Sequence, residues 1–320
     1  MRVTSLGSGS SGNAYLIEAG PQGRTRLLVD AGFSARVLTE RLRAAGCSPE
    51  QLQGVLITHE HSDHILGLPT LLKRYHVPIF ADPRTLAEVR TIFSAGELRS
   101  ESGALVRLEA ELSTMSADGS ELKVHEEVTL RQSLPSVVGD GLWMPLPAGT
   151  RRVIGDIEVY SFLVSHDAVA PCGYVLSAGG CRVCIVTDSG EVTPIMLEAI
   201  TQADLLILES NHDRARLLSG PYPYQLKQRI LSATGHLSNA QAAEAVLRTW
   251  RSDGLRWLWL AHLSRTNNTP RLALASMQQS LRAAGANLTQ LHISVLKREM
   301  GGVWDSTRLW QDTHLWDLPH

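Results

Sequence analysis

At 320 residues with 43% hydrophobic side chains, the chain can bury a large core, as one big α/β domain or two smaller ones. A formal charge of -2 excludes a global attraction to polyanions, so nucleic-acid binding would have to come from a local patch or from metal ions. The N-terminus, Met1-Arg-Val-Thr-Ser-Leu-Gly7, has no apolar run of signal length, and no later segment approaches the stretch needed to cross a bilayer, so a cytoplasmic protein without a membrane partner is expected.

The first strand runs into Leu6-Gly-Ser-Gly-Ser-Ser-Gly-Asn13, which contains a G-x-G-x-x-G match at Gly7, Gly9 and Gly12, with an acid at Asp30 where a dinucleotide fingerprint wants one. That fingerprint requires a helix after its last glycine, because the helix N-terminus holds the pyrophosphate. Here residues 13–18, a Gly20-Pro-Gln-Gly23 turn and residues 24–30 read as two more strands of a meander. A strand-loop-strand unit is therefore expected, not a dinucleotide cradle.

Further along, residues 33–45 read as a helix with Ser34 as cap and Gly46 as stop, and 54–58 as a strand. Apolar strands at 157–164, 182–187, 204–208 and 255–261 alternate with helices near 194–203, 238–250 and 270–284, an α/β rhythm throughout. Residues 94–147 break that rhythm. Val106, Leu108, Ala110 and Leu112 are answered by Leu122, Val124, Val128 and Leu130 across Asp118-Gly119, the pattern of an inserted β-ribbon, either a surface excursion or a substrate-gripping arm. Trp304, Trp310 and Trp316 read as anchors in a polar C-terminal tail, which gives a main domain of 1–303 and a tail of 304–320. The four cysteines, Cys47, Cys172, Cys181 and Cys184, are expected to be structural: Cys181 and Cys184 stand three apart in a strand, facing opposite sides, and no second C-x-x-C exists.

Immediately after the strand at 54–58 comes His59-Glu-His-Ser-Asp-His64, with His59, His61, Asp63 and His64 as potential metal ligands within six residues. More ligands for a second ion would have to arrive where other strands end. His166, Asp188 and His262 each follow an apolar strand and supply them. Glu209 ends another strand, and Gly235-His236-Leu-Ser-Asn239 opens a helix in which Ser238 and Gln241 fit a capping box. His236 thus stands beside a helix N-terminus, where phosphate is attracted and an imidazole oriented by Glu209 could protonate a leaving oxygen. Arg214, Arg216, Lys227 and Arg229, interleaved with Tyr222 and Tyr224, form the local basic and aromatic patch that a nucleic-acid strand needs, or an ordinary solvated face.

The H-x-H-x-D-H run with a later His, Asp and His resembles the metallo-β-lactamase superfamily over nearly the whole chain. The resemblance implies a four-layer αββα sandwich. It implies His59, His61 and His166 on one metal, Asp63, His64 and His262 on the other, Asp188 between them, and a metal-bridging hydroxide as nucleophile, which Asp63 helps to hold. Glu209, His236 and the His262-Leu-Ser-Arg265 segment are similar to ribonuclease Z motifs that serve phosphodiester cleavage. Together with the opening loop, Ser165-His166-Asp167, Thr187-Asp-Ser-Gly190 and Glu209-Ser-Asn-His-Asp213, they resemble the YycJ (WalJ, VicX) family. That resemblance implies 5′-to-3′ exonuclease activity on DNA and a rim loop where Ser8, Ser10, Ser11 and Asn13 approach a phosphate, with a plain tight turn as the alternative; Ser264 and Arg265 of the ribonuclease Z-like segment, and Lys227 and Arg229 of the basic patch, are the further candidates for substrate contact.

The expected function is a dinuclear phosphodiesterase acting on DNA or RNA, with Asp63, His236 and Glu209 in the chemistry. The rival readings are a hydrolase of small phosphodiesters or thioesters, and a nucleic-acid-binding regulatory protein with structural metals. Zinc is the default ion for an imidazole-rich site, while Asp63 and Asp188 also suit manganese or iron. Oligomeric state, a dimer included, is not legible here. His212 and Asp213 receive no role, and His76, His125, His292, His314 and His320 are read as structural or solvent-facing.

Overall fold

Along its strands this chain alternates apolar side chains that face two ways, and both faces are buried. The computed structural model describes residues 1–99, 105–107, 140–251, 255–307 and 309. The first strands are β1 (Arg2–Gly7), β2 (Ala14–Ala19), β3 (Thr25–Val29), β4 (Gly54–Leu56) and β5 (Ile79–Ala81). They are followed by β6 (Glu97–Arg99), β7 (Leu105–Arg107), β8 (Trp143–Pro145), β9 (Arg151–Ile154), β10 (Ile157–Leu163) and β11 (Cys172–Ala178). The last are β12 (Cys181–Val186), β13 (Leu205–Glu209), β14 (Arg256–Ala261), β15 (Leu291–Val295) and β16 (Val303–Asp305). Helices α1 (Ala35–Ala44), α2 (Ser62–Ile65), α3 (Leu68–Tyr75) and α4 (Pro83–Ala95) belong to the first half. Helices α5 (Pro194–Thr201), α6 (Arg214–Ser219), α7 (Tyr224–Ile230), α8 (Asn239–Arg248) and α9 (Pro270–Ala283) belong to the second.

Among the described residues fourteen of the sixteen strands form two mixed seven-stranded sheets, ordered β16-β1-β2-β3-β4-β5-β8 and β15-β14-β13-β12-β11-β10-β9, and β6 and β7 pair only with each other. Between them lies a core in which Tyr15, Ile17, Leu27 and Val29 meet Val159, Tyr174, Ile185, Ile207, Trp257 and Trp259. The alternate residues face outward. Leu16, Leu28 and Val55 bury against Leu38, Leu42, Leu68 and Val89 of α1, α3 and α4, while Leu206, Leu208, Leu258 and Leu260 bury against Met196, Ala242, Val246 and Met277 of α5, α8 and α9. A period-2 pattern with both faces apolar is what a sheet covered on both sides requires, and four layers, αββα, result. Cys181 enters the inter-sheet core and Cys184 the outer one, so the pair faces opposite ways, and all four cysteines are free and buried.

The ends of the strands matter most for the site. Strands β3 and β4 run parallel, as do β12, β13, β14 and β15. Strand β1 reaches β3 through two antiparallel pairings, and β10 reaches β12 likewise, so β1 and β10 end on the same edges as their parallel neighbours. The opening glycine-serine loop connects β1 to β2 antiparallel, the expected strand-loop-strand unit.

Three expectations are corrected. Ser34 occupies the N-cap position of α1 but makes no capping hydrogen bond, and the helix is held by its buried Leu38 and Leu42 instead. The segment read as an insertion is narrower than 94–147: α4 runs to Ala95, and β8 pairs in parallel with β5 at the edge of the first sheet. Leu98 of β6 pairs with Val106 of β7, and the remaining ribbon residues on either side of Asp118-Gly119 lie outside the described residues. Trp304 lies within β16, fully buried and paired to Val3 of β1, so the boundary drawn between 303 and 304 cuts a strand; Trp310 and Trp316 lie outside the described residues.

Candidate metal centre

Six of the strands just described deliver a side chain to one place. Asp30 follows β3, His59 follows β4, His166 follows β10, Asp188 follows β12, Glu209 ends β13 and His262 follows β14. The short helix α2 adds Asp63 and His64 from its first turn. A crevice beyond the carboxyl ends of strands is where α/β sheets place ligands, because the strands fix their last residues while the loops diverge.

Two donor clusters result. In one, His59 Nε2 lies 3.1 Å from His61 Nδ1, and His166 Nε2 lies 3.3 Å from the same atom. In the other, Asp63 Oδ2 lies 3.4 Å from His64 Nε2 and 3.3 Å from His262 Nε2. Asp188 reaches His64 Nε2 through Oδ2 at 3.2 Å and His166 Nε2 through Oδ1 at 4.0 Å, between the clusters. Two donors at about 2.0–2.1 Å from one tetrahedral ion stand about 3.3–3.4 Å apart, so these spacings fit metal coordination. An unmatched atom agrees: Asp63 Oδ1 is buried without a hydrogen-bond donor, which is costly unless a cation satisfies it. The residues therefore fit divalent metal ions.

At the first cluster and at the two aspartates, protonation states support the same reading. Burial, aided by the neighbouring His64 and His61, pushes His59 well below the usual imidazole range, and burial takes His166 down to about 4. Both are neutral at pH 7, as ligands must be. Burial works to raise Asp63 and Asp188, but the imidazoles around them outweigh it and hold both carboxyls well below the ordinary range.

The surrounding groups fix the ligands' orientation. His64 Nδ1 lies 2.8 Å from Asp30 Oδ2, and Asp30 in turn accepts from the Thr58 amide (2.9 Å) and hydroxyl (3.0 Å). Thr58 Oγ1 also lies 3.0 Å from His59 Nδ1, and His166 Nδ1 lies 3.0 Å from the Gly235 carbonyl. Such partners set which ring nitrogen faces the metal. His262 has a left-handed backbone (φ 52°), and its amide donates to Ser8 Oγ at 2.9 Å. Glu209 Oε1 lies 2.7 Å from His236 Nδ1 and 3.0 Å from His262 Nδ1, while Oε2 accepts from the amides of Ser189 (2.9 Å) and Leu237 (3.0 Å). Burial would raise the Glu209 carboxyl, yet His236 and these bonds bring it below its usual value. One carboxylate thus orients a metal-cluster imidazole and a second imidazole that faces a cleft of about 190 Å³.

A family profile described as the Beta-lactamase superfamily domain matches residues 25–252. The chain belongs to this superfamily. It is 35% identical over 279 residues to the exodeoxyribonuclease WalJ of Streptococcus pneumoniae, with 87% of each chain covered. It is 33% identical over 280 residues to the exodeoxyribonuclease YycJ of Bacillus anthracis, covering 88% of this chain and 89% of that one. Among solved structures, the metallo-beta-lactamase fold protein YhfI from Bacillus subtilis superimposes with a TM-score of 0.58 at 18% identity (95% and 99% coverage). Human tRNase Z, short form, gives 0.55 at 18% identity (94% and 99%), and both share the metallo-β-lactamase fold.

The superfamily fold brings together His59, His61, Asp63, His64, His166, Asp188, His262, Glu209 and His236, all nine named from the sequence. The eight residues named for substrate are spread out. Ser10, Arg229 and Ser264 line the cleft beside His236. Ser8 and Asn13 are buried behind the opening loop and do not line the cleft: Ser8 Oγ accepts from Tyr15 (2.9 Å) as well as from His262, and Asn13 Oδ1 accepts from the Gly9 amide at 3.0 Å while its Nδ2 lies 3.4 Å from Asp63 Oδ2. Ser11 and Arg265 are exposed, and Lys227 Nζ donates to the Leu218 carbonyl at 2.7 Å. Asp30 and Thr58 were missed as site residues, although Asp30 stands at a strand end, the one sequence signal that could have found it.

Proposed function

We propose that this chain is a metal-dependent exonuclease that hydrolyses phosphodiester bonds in DNA from a free single-stranded end, with zinc as the native ion. The observation that carries the reading is the Glu209–His236 pair, placed between the ligand cluster and an open cleft. Ions held by His59, His61 and His166 on one side and Asp63, His64 and His262 on the other, with Asp188 between, would supply a water nucleophile at neutral pH and neutralise phosphate charge. Hydrolysis adds hydroxyl to phosphorus and hydrogen to the departing oxygen. His236 delivers that hydrogen, and the Glu209 carboxylate at Nδ1 stabilises the imidazolium that must be present beforehand. Asp63, besides completing one donor set, would help to hold the attacking water.

The choice of DNA rests on the likeness to WalJ and YycJ, which are exodeoxyribonucleases by name and are matched over 87% and 89% of their length; the direction 5′ to 3′ is what the resemblance of the sequence motifs to that family implies. The imidazole-rich donor set favours zinc. The test is a gel assay of metal-loaded protein on 5′- and 3′-labelled single- and double-stranded DNA and RNA. Progressive loss of single-stranded DNA from the 5′ end, abolished in Asp63→Ala, is expected. Turnover of a small phosphodiester or thioester with every polymer left intact would overturn the reading.

A further inference from the structure

The cleft beside His236 has two unlike walls. One is a stripe at intervals of four, Tyr222, Leu226 and Ile230, laid along α7 and the turn before it. Leu226 and Ile230, four apart within α7, share one face of the helix, and Tyr222, in the bend before Pro223, lines the cleft beside them. The other wall is polar: Ser10 from the opening loop, Asn211 after β13, His236 and Ser264. Asn211 Nδ2 is committed to the His262 carbonyl at 3.1 Å, which leaves Oδ1 as the acceptor for the cleft. Asp167 and Arg229 join one wall to the other through an ion pair, and Asp167 is the neighbour of the metal-cluster residue His166.

At about 190 Å³ the space holds roughly six waters at about 30 Å³ each, enough for one base with part of its sugar. An aromatic and aliphatic wall opposite hydroxyl and amide groups matches a flat ring with an apolar face and a hydrogen-bonding edge. Using that edge on the protein requires the base to be unpaired. Tyr224, the other tyrosine of the segment, is 75% exposed and takes no part in the cleft.

We infer that this cleft is the subsite for the terminal unpaired nucleoside of the strand, with Tyr222 as the stacking platform that makes the chain select single-stranded ends. The inference rests on the nuclease reading and adds which nucleoside is held and by what. Because the subsite adjoins His236, the nucleoside it holds is the one whose oxygen departs.

The experiment compares single strands that differ only at the terminal nucleotide being removed, either a normal thymidine or an abasic tetrahydrofuran. Stacking of one base is worth roughly a 5- to 100-fold difference, so the metal-loaded wild type should favour the normal end in kcat/KM by that factor. In Tyr222→Ala the ratio should collapse to within about twofold, and Tyr222→Phe should restore it. The chelated, metal-free protein should show the same pattern in equilibrium binding of a labelled five-nucleotide strand, which separates recognition from chemistry. A wild type that cuts well with no preference between the two ends, or a preference that survives in Tyr222→Ala, overturns the subsite and leaves the nuclease reading standing. Failure of the wild type to cut any strand removes both.

Discussion

Four hydrogen-bonding groups converge on the Glu209 side chain, two ring nitrogens and two backbone amides. Because it holds both His236 and His262, Glu209 links proton delivery to metal binding, and single substitutions should separate the two. His236→Ala is expected to keep the metal content of the wild type and to lower turnover by about 10²–10⁴-fold. Glu209→Gln is expected to lower turnover and also to weaken metal affinity by about 10–100-fold, since the amide has one oxygen where the carboxylate has two, and its NH2 would face either the two rings at Oε1 or the Ser189 and Leu237 amides at Oε2. Metal analysis alongside kinetics distinguishes them, and unchanged turnover in His236→Ala would remove that residue from the chemistry. The ligands were legible because His, Asp and Glu at strand ends are unusual and cluster in the sequence. The Glu209–His262 contact was not, because two residues on neighbouring strands carry no mark of which side-chain atoms meet.

At the scale of elements, the site is assembled from loops knitted backbone to backbone. The Asn13 amide donates to the Asp63 carbonyl (2.8 Å), the Gly32 amide to Asn13 (3.0 Å) and the Ala31 amide to His64 (2.7 Å). Gly32 sits at the centre, where a Cβ would lie 1.6 Å from the Asp63 carbonyl oxygen. Gly32→Ala must therefore displace the turn that carries Asp63 and His64. A lower melting temperature and fewer than two bound ions per chain are expected, and a variant matching the wild type in both would refute this packing account. The capping box predicted ahead of α8 is present, Ser238 N to Gln241 Oε1 at 2.9 Å and Gln241 N to Ser238 Oγ at 3.3 Å, because its signature is local. The cleft walls were harder to read. Tyr222 and Arg229 were grouped with Lys227 and Tyr224 by charge and ring, yet only the fold sorts those lining the cleft from those on the open face.

For the whole molecule, two sheets ending on a common edge explain how residues from 30 to 262 share one site. The strand sequences foretold much of this, since apolar alternation fixes which side chains are buried and each strand end is followed by a polar ligand. The interior of the segment around residue 118 and the far C-terminal tryptophans lie outside the described residues. Burying so many imidazoles has a global consequence. Burial drives His166 and His212 each down to about 4 from 6.5, and His59 well below 6.5. As pH falls from 6.5 towards 4, the unfolded chain takes up protons on these rings that the folded chain refuses, so stability falls with pH. Although burial disfavours its charged form, His64 is raised by Asp30, Asp63 and Asp188 and acts in the opposite sense, one ring against three. The metal-free protein should accordingly show a lower urea midpoint at pH 5 than at pH 7, and an equal or higher midpoint at pH 5 would contradict these assignments.

The most direct test of the central claim, that two metal ions held by these strand ends cleave DNA, is a titration of the chelated protein with zinc while release of nucleotides from single-stranded DNA is followed. The account predicts activity that rises to a plateau at two ions per chain and no cleavage at zero. Full activity in the chelated protein, or a plateau reached with one ion, would contradict it.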